Sequence, residues 1–597
     1  MQTRSSRLQN FALVLETSSS HPTQCLPTKV GSRPFASPAW HLRIGALAAM
    51  YLLLPQTVLA QIPNSGQILR DIESERPSLP APEKLEPEKP RVQDAPASGA
   101  AEQGPRIRVE GFRISGNLLF DSKQLLGLLD DLKGRDLNLA ELNGAAQRIS
   151  ALYLKHGYLL ARAYLPRQEV EDGLIRIEVV EGRYGQVELQ NHSRTRDGVL
   201  RQPLTRLESG AAVQGQELER SLLLLSDIPG VRAGGTLRPG TRGGTTDLLV
   251  EAQSAPLVNG SLEANNFGDY STGEYRLGGS INFNSPLRLG DQLSLRLQSG
   301  DWRQRYYRVA YQLPVGPWST RVGVASSQAL YRVIKSSENL DRLGLHGRAE
   351  VHSLFVSQPL IRSRAFNLSG QLQYETKKLR DDIDLFELRG KKDIGLWIAG
   401  VSGNSQDRLL GGGQIGISLS YGHGRLRIGD PLERRQDRRS AGKAGSFDKL
   451  NLNAVRLQRL TDRLELFAQL NTQWASGNLD SAEKITLGGP YGVRAYPAGS
   501  PGSSGDQGWQ ATAELRYDLA PRWQLSTFID QGAVTFNKRP WNRDGNSNHM
   551  TGTGIGATWA GSHHQISLTA AWPLGEADKG IEPQRTPRLW IQATRYF

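Results

Sequence analysis

The sequence predicts a β-dominated chain: an antiparallel, membrane-spanning barrel of about 16 strands behind two small α+β modules, an N-terminal helix and a Pro-rich linker. Three observations predict it. From about Val258 to the C-terminus, apolar residues alternate with polar ones at a period of two. Between residues 106 and 255 the order strand–helix–helix–strand–strand occurs twice. The mean hydropathy is −0.44, and the one notable apolar run lies near the start of the chain. A helical membrane protein needs several apolar runs of about 20 residues. A barrel escapes that requirement, because only alternate residues of each strand face lipid.

Residues 1–60 read as an export signal. Arg43 precedes the apolar run Ile44–Leu54, which is too short to span a bilayer. Val58-Leu-Ala60 then offers small residues for cleavage, leaving Gln61 as the new N-terminus. The leader before the apolar run is long, either as an extended signal or because the start codon is placed too far upstream. The single cysteine, Cys25, falls in this segment, so the processed chain has neither disulfides nor thiolate metal sites.

Within residues 61–76, Ser65–Glu75 forms a short amphipathic helix with Ile68, Leu69 and Ile72 on one side. Residues 77–105 are rich in Pro, Glu and Ala, a composition that buries no core and favours an extended linker.

Residues 106–182 make the first module. Its elements are a strand over Ile107–Ile114, a helix over Phe120–Leu132 capped by Asp121 or Ser122, and a helix from Asn138 to His156 stopped by Gly157. Strands over Tyr158–Leu165 and Leu174–Val180 complete it. Residues 183–255 repeat the order, with strands near 186–190, 231–237 and 246–252 and helices near 196–207 and 216–225. Glu141-Leu142 and Glu217-Leu218 open the second helix of each copy.

Residues 256–597 carry the alternation. Tyr307, Val309, Tyr311 and Leu313 share one phase, as do Ile415, Ile417, Leu419 and Tyr421, and Ile566, Leu568, Ala570 and Trp572. The residues between them are mostly polar, so one face is solvated. An apolar face with Tyr and Trp at its ends suits lipid and its interfaces. At roughly 10 residues per strand plus turns, the region accommodates about 16 strands.

Counting back from Phe597 puts strands near 588–597, 564–573, 550–560, 523–536 and 509–519. Long loops at 574–587, 537–549 and 488–508 then share one end of the barrel, and short turns at Ala520-Pro521 and Gly561-Ser562 the other. The loop at 488–508 carries one cation, Arg494, flanked by Val493 and Tyr496. In the strand Trp523–Gln531, the residues Trp523, Leu525 and Ile529 share the outward phase, and Phe528 and Asp530 point into the lumen. Arg494 reaches Asp530 only if its loop folds inward. A bidentate Arg–carboxylate pair would then fix the loop to the wall; otherwise both are ordinary solvated charges.

Gly492-Val-Arg-Ala-Tyr-Pro497, Gly508-Trp509, Glu514-Leu-Arg-Tyr517 and Phe528-Ile-Asp-Gln-Gly532 resemble the C-terminal motifs of two-partner-secretion transporters, the TpsB group that handles haemolysins and filamentous haemagglutinins. The resemblance covers nearly the whole processed chain. The two βααββ units resemble periplasmic POTRA domains. The terminal strand Leu589–Phe597 resembles the assembly signal of bacterial outer-membrane barrels, which makes Phe597 a contact for the barrel-assembly machinery.

The resemblance implies a lock in which Val493, Arg494 and Tyr496 of the loop meet Phe528, Asp530 and Gly532 of the wall, with the helix near 65–75 in the pore at rest. Ala495 stands where the family usually has glycine. The implied localisation is the outer membrane, with the modules in the periplasm. The implied activity is export of one unfolded exoprotein, with membrane lipid as the other partner and no ATP.

The alternatives are an insertase that assembles other barrels, which usually carries more POTRA modules, a passive porin, which has no use for them, and a barrel-anchored adhesin, which would show long repeats. No enzymatic chemistry is indicated. No phosphate-binding Gly-rich loop with Lys-Ser/Thr is present, and Gly411-Gly-Gly413 and Gly552–Gly556 sit in strand contexts. His563-His564 falls at a turn and falls short of the three or four ligands that zinc needs. No cofactor is expected. The net charge of +13 is spread through the strands and concentrated on no element, which suits a basic lumen or periplasmic surface better than a nucleic-acid site.

Overall fold

The computed structural model describes residues 63–73, 105–301, 303–335, 340–500, 502–543, 545–575 and 585–597. The expected export signal and nearly all of the expected linker lie outside the described residues.

The C-terminal region closes into a 16-stranded antiparallel barrel. Its strands are Val258–Asn265 (β1), Arg276–Asn284 (β2), Gln292–Gly300 (β3), Gln304–Val315 (β4), Thr320–Arg332 (β5), Leu345–Arg362 (β6), Phe366–Ile383 (β7) and Leu388–Asp407 (β8). They continue with Gly413–Ile428 (β9), Gly445–Arg459 (β10), Leu464–Ala475 (β11), Gln507–Ala520 (β12), Trp523–Thr535 (β13), Ser547–Ala560 (β14), His564–Pro573 (β15) and Arg588–Tyr596 (β16). The period-two pattern sets which side chains face out. Trp523, Leu525 and Ile529 are exposed on the outer face, while Phe528 and Asp530, on the alternate phase, are buried inside.

The seam forms between β16 and β1, from Gln592 opposite Asn265 to Tyr596 opposite Ser261. Phe597 completes it: its amide donates to the Gly260 carbonyl at 3.1 Å, and its carbonyl accepts from the Gly260 amide at 3.0 Å. Closure leaves no unpaired edge in the lipid, where an unsatisfied backbone group would be costly.

Both small modules have one topology. In the first, strand Gly111–Ser115 lies parallel to Leu174–Val180, and Arg162–Tyr164 lies antiparallel to it. In the second, Arg183–His192 is parallel to Thr245–Ser254, and Val231–Pro239 is antiparallel to it. The helix Leu139–Lys155 starts at a reciprocal cap: the Glu141 amide donates to Asn138 at 2.9 Å, and the Asn138 amide to the Glu141 carboxylate at 2.8 Å.

Three expected elements of the first module are broken or shorter. The strand expected over 107–114 splits at Val109-Glu110, because Ile107-Arg108 pairs with Asp136-Leu137 and only Gly111–Ser115 joins the sheet. The helix expected over 120–132 is α-helical only over Ser122–Gly127, capped by Asp121. It then tightens to a 3-10 turn at Asp130–Leu132, which still buries Leu125, Leu129 and Leu132. The strand expected over 158–165 shrinks to Arg162–Tyr164, because Tyr158 leaves to bridge Gln214 of the second module. In that module the helix expected near 196–207 is α-helical over Asp197–Arg201 and 3-10 over Gln202–Leu204, where Pro203 leaves no amide to donate.

Glu181 ties the two modules together. Its buried carboxylate accepts the amides of Leu118 and Leu119 at 2.6 and 2.7 Å, the Tyr153 hydroxyl at 3.1 Å and Arg183 Nη2 at 2.8 Å. Burial, reinforced by this carboxylate, raises the Tyr153 phenol well above its ordinary range. The second module stands on the short-turn end of the barrel. Arg362 on β6 forms a two-point pair with Asp227, at 2.8 and 2.9 Å, and Arg321 on β5 donates to the Asp227 carbonyl at 2.6 Å. These contacts orient the barrel: the short turns share the modules' side, and the long loops lie at the far end.

Replacing Glu181 with Ala strands two backbone donors, a loss of about 1–3 kcal/mol. Hydrogen exchange on the full chain should show the Leu118 and Leu119 amides exchanging faster, with the barrel amides unchanged.

Candidate functional site

The loop between β11 and β12, residues 476–506, is the longest connection at the far end of the barrel and folds back into the lumen. A short ladder, Ile485 opposite Gly505 and Thr486 opposite Ser504, closes its stem. Inside the stem the chain satisfies its own backbone: the Val493 amide donates to the Leu487 carbonyl at 2.6 Å, and the Gly489 amide to the Tyr496 carbonyl at 2.9 Å. An inward-folded loop has few water partners, so this internal bonding is what makes the position tenable.

Arg494 projects from the loop onto the wall. Its Nε donates to Asp530 Oδ2 at 2.8 Å and its Nη2 to Asp530 Oδ1 at 2.9 Å, and its own backbone amide donates to Oδ2 at 3.1 Å. Nη1 donates to Glu514 Oε2 at 2.6 Å. The guanidinium lies 3.2 Å from the centroid of the Phe528 ring. Thr512 Oγ1 donates to Asp530 Oδ1 at 2.9 Å, and Arg516 Nε to Glu514 Oε1 at 2.8 Å. On the other side, Trp590 Nε1 on β16 donates to the Arg494 carbonyl at 2.7 Å.

The register between β12 and β13 builds this wall, setting Glu514 opposite Phe528 and Thr512 opposite Asp530 on the inner face. Two cations and two carboxylates therefore meet in one buried cluster, and removing one partner of such a pair costs about 3–5 kcal/mol.

The remaining expected site residues surround this contact. Val493 is fully buried and packs with Leu487, Ala495, Tyr496, Phe528, Val534 and Met550. The Tyr496 hydroxyl is 3.5 Å from the Thr551 carbonyl. Gly532 is needed for space: a Cβ there would stand 2.8 Å from Leu487 Cδ2. Ala495, in place of the family's usual glycine, has an ordinary negative φ, and its methyl fills the room left by Gly552, whose Cβ would lie 2.6 Å from it. Phe597 lies apart from the cluster, at the barrel seam and half-exposed.

Sequence reasoning missed Glu514, Thr512 and Trp590 as contributors. The inward phase they share with Asp530 was the signal available for the first two. Nothing in the sequence marks Trp590 as a partner of a loop 96 residues away.

The expected N-terminal helix is observed over Ser65–Glu73, inside the barrel. Ile68, Leu69 and Ile72 are buried against inward-facing Tyr331, Leu345, Ala349 and Leu379. At its start, the Ser65 amide donates to Asp381 Oδ1 at 2.7 Å, and the Tyr331 hydroxyl donates to the same oxygen at 2.8 Å. At its end, Glu73 accepts from the hydroxyls of Tyr306 and Ser327, each at 3.0 Å. Its flank rests on the base of the inward loop: Arg70 Nη1 donates to the Ser481 carbonyl at 2.8 Å, and Ser481 Oγ donates to Asn64 Oδ1 at 2.5 Å. Gly66 makes this approach possible, since a Cβ there would lie 2.7 Å from the Ala482 amide nitrogen. That base is itself held by buried ion pairs: Glu483 with Lys377 at 2.8 Å and with Lys449 at 2.7 Å, and Asp480 with Lys392 at 3.3 Å.

An Arg494→Ala variant loses every side-chain contact that Arg494 makes in the cluster but no ladder hydrogen bond. It should insert as a folded, heat-modifiable barrel, while limited proteolysis from outside the cell cuts within 488–500 several-fold faster than in the wild type.

The comparisons with known proteins agree with this architecture. The model of the family described as haemolysin secretion/activation protein ShlB/FhaC/HecB matches residues 244–559, more than half of the chain, and that of the ShlB-type POTRA domain matches residues 107–182. The heme/hemopexin transporter protein HuxB of Haemophilus influenzae is 26% identical over 94% of this chain and 99% of its own length. The outer membrane transporter CdiB of Dickeya dadantii is 23% identical over 79% of this chain and 84% of its own. The solved structure of CdiB from Escherichia coli superposes with a TM-score of 0.67 at 21% identity, covering 95% of this chain and all of that one, and so shares the fold. The chain belongs to the ShlB/FhaC/HecB family, the outer-membrane transporters of two-partner secretion, with its POTRA units in the periplasm.

Proposed function

We propose that this chain carries one unfolded exoprotein from the periplasm through its lumen to the cell surface, and that the Arg494–Asp530 contact is the lock that holds the inward loop in place for that passage. The observation that carries the reading is the arrangement of the lumen: the helix Ser65–Glu73 and the loop bearing Arg494 lie in it side by side, joined at Ser481.

The helix is attached by polar contacts at both ends, by Arg70 on its flank and by a small apolar face, and by no strand ladder, so it can leave without unfolding any strand. Its polar partners, Asp381, Tyr331 and Ser327, stand on the barrel wall and remain there for an extended polypeptide to meet. The two POTRA units receive the exoprotein first, through main-chain pairing at a sheet edge. Folding of the exoprotein outside the cell, without ATP, gives the transport its direction. The barrel-assembly machinery recognises the terminal strand that ends in Phe597 when the barrel is inserted, and lipid covers the outer apolar belt.

Fixing the helix tests this account. Asn64 and Ser481 touch through their side chains, and the only native cysteine is Cys25. In an Asn64→Cys/Ser481→Cys variant, oxidation should abolish secretion of the exoprotein, and a reductant should restore it. Unchanged secretion with the cross-link formed would show that the helix stays in the lumen during transport.

A further inference from the structure

Toward the modules' end, below the residues that hold the helix and the base of the inward loop, the inner wall of the barrel changes character. The register sets Ser369, Ser402, Ser418, Asn453, Asn471 and Gln510 directly opposite one another in one inward row across β7–β12. The inward rows immediately above and below hold only Ser, Thr, Asn, Gln, Gly and one Val. None of the inward residues in these three rows is charged. Lipid on the outer face demands only that the inner face be polar. The same strands do carry charge on that face nearer the long loops, at Lys377, Lys392 and Lys449.

A cavity of about 680 Å³ lies against the β10–β12 part of this wall, beside the helix and the inward loop. Asn453, Gln469, Asn471 and Gln510 line it, and it reaches down to Ser261 and Tyr596 at the seam. Some of these amides are engaged: Asn453 Nδ2 donates to Asn471 Oδ1, and Gln510 Nε2 donates to the Tyr491 carbonyl at 3.1 Å. Others are not. Gln469 is only 8% exposed, yet its Nε2 has no partner among the described residues. Gln298 on β3, which also lines the cavity, leaves its Nε2 unpartnered in the same way. A buried donor calls for an acceptor.

The charges that complete the lining stand on other elements and have partners of their own. Lys484 pairs with Asp506 at 2.9 Å, and Arg70 donates to the loop carbonyls. Arg276 stands among the carboxylates of Asp71, Asp269 and Glu263, and Arg296 lies over the Tyr306 ring, 6.0 Å from its centroid.

We propose that this wall seats the main chain of the polypeptide in transit: an extended segment lies along β7–β12, hydrogen-bonded to the Asn, Gln and Ser side chains, and first enters the cavity beside the helix. The inference rests on the lumen being the route of export. An Asn or Gln side chain carries the same donor and acceptor as a peptide group, so it meets the main chain of any residue. Each such bond replaces one to water and gains little net, so the segment is held without being trapped. A fixed charge would retain side chains of opposite sign and repel those of its own. Its exclusion from three successive rows lets one wall pass unlike sequences.

The test uses the full chain and the exoprotein that disappears from the cell surface when this chain is deleted, in two forms: one with a short inserted tract of serine, one with a tract of lysine. The wild type should export the two forms to within about twofold of each other. A Ser369→Asp/Ser418→Asp/Asn471→Asp variant places its acids on alternate strands, so no two are directly opposed. It should export the lysine form roughly tenfold less than the serine form. A Ser526→Asp/Thr558→Asp/Ser567→Asp control puts the same charge on the inward face of β13–β15 and should treat the two forms alike. If the triple variant loses its heat-modifiable mobility, Ser418→Asp alone is read instead, with a smaller difference in the same direction. Equal export of both forms by the acidic barrel overturns the seat, and so does an equal loss of both. The same discrimination in the control overturns the assignment to β7–β12. Tenfold discrimination by the wild type overturns the indifference to sequence. Export of the serine form by the wild type checks the route separately; its absence would remove the route and the seat together.

Discussion

Arg494 is held by both carboxylates of an otherwise buried wall, and the interior of the barrel depends on that fact. Without the guanidinium, Asp530 and Glu514 would stand as diagonal neighbours on adjacent strands, with Arg516 on Glu514 as the one remaining cation of the cluster. With it, the cluster is neutral, and the Phe528 ring supplies a face for the cation. The planar fork matters here: three nitrogens make three separate contacts, which a lysine could not reproduce. The loop backbone joins in through the Arg494 amide and carbonyl, so side chain and main chain are fixed by the same small region of wall.

Fixing the tip of the loop also fixes its base. The same connection carries the turn at Ser481–Glu483, on which the N-terminal helix rests, and that turn is bound to β7, β8 and β10 through Lys377, Lys392 and Lys449. The loop is thus anchored at two ends by buried charge pairs, whereas the helix is attached by hydrogen bonds at its ends, by Arg70 on the loop's carbonyls and by a few apolar contacts. On the transport mechanism proposed above, the helix is the object in the lumen that moves. Breaking such a buried pair leaves an uncompensated charge, so each one holds the loop to a single position.

Much of this was legible in the sequence, for a physical reason. Alternation at a period of two is forced by lipid on one face and water on the other, so the strands of the barrel, and the inward phase of Asp530, could be read directly. The five C-terminal strands fall within three residues of where counting back from Phe597 placed them. The inward fold of the loop was not legible from spacing, since a loop arginine and a lumen aspartate are equally consistent with two solvated charges. Glu514 shared the phase of Asp530 but gave no sign of which cation it would meet. The seat of the helix on Asp381 and Ser481 joins positions more than 300 residues apart and leaves no local pattern. In the first POTRA unit, the strand expected over 107–114 broke because its first residues found another partner, a tertiary choice that propensity does not encode.

The direct test of the account is a double-mutant cycle on secretion, with Arg494→Ala, Asp530→Ala and the pair together, each first confirmed as an inserted barrel. If the two residues act as one lock, either single change reduces the secreted exoprotein, and the double variant secretes no less than the worse of the two. Losses that multiply in the double variant, or full secretion by Arg494→Ala, would contradict the claim that this contact holds the loop for transport.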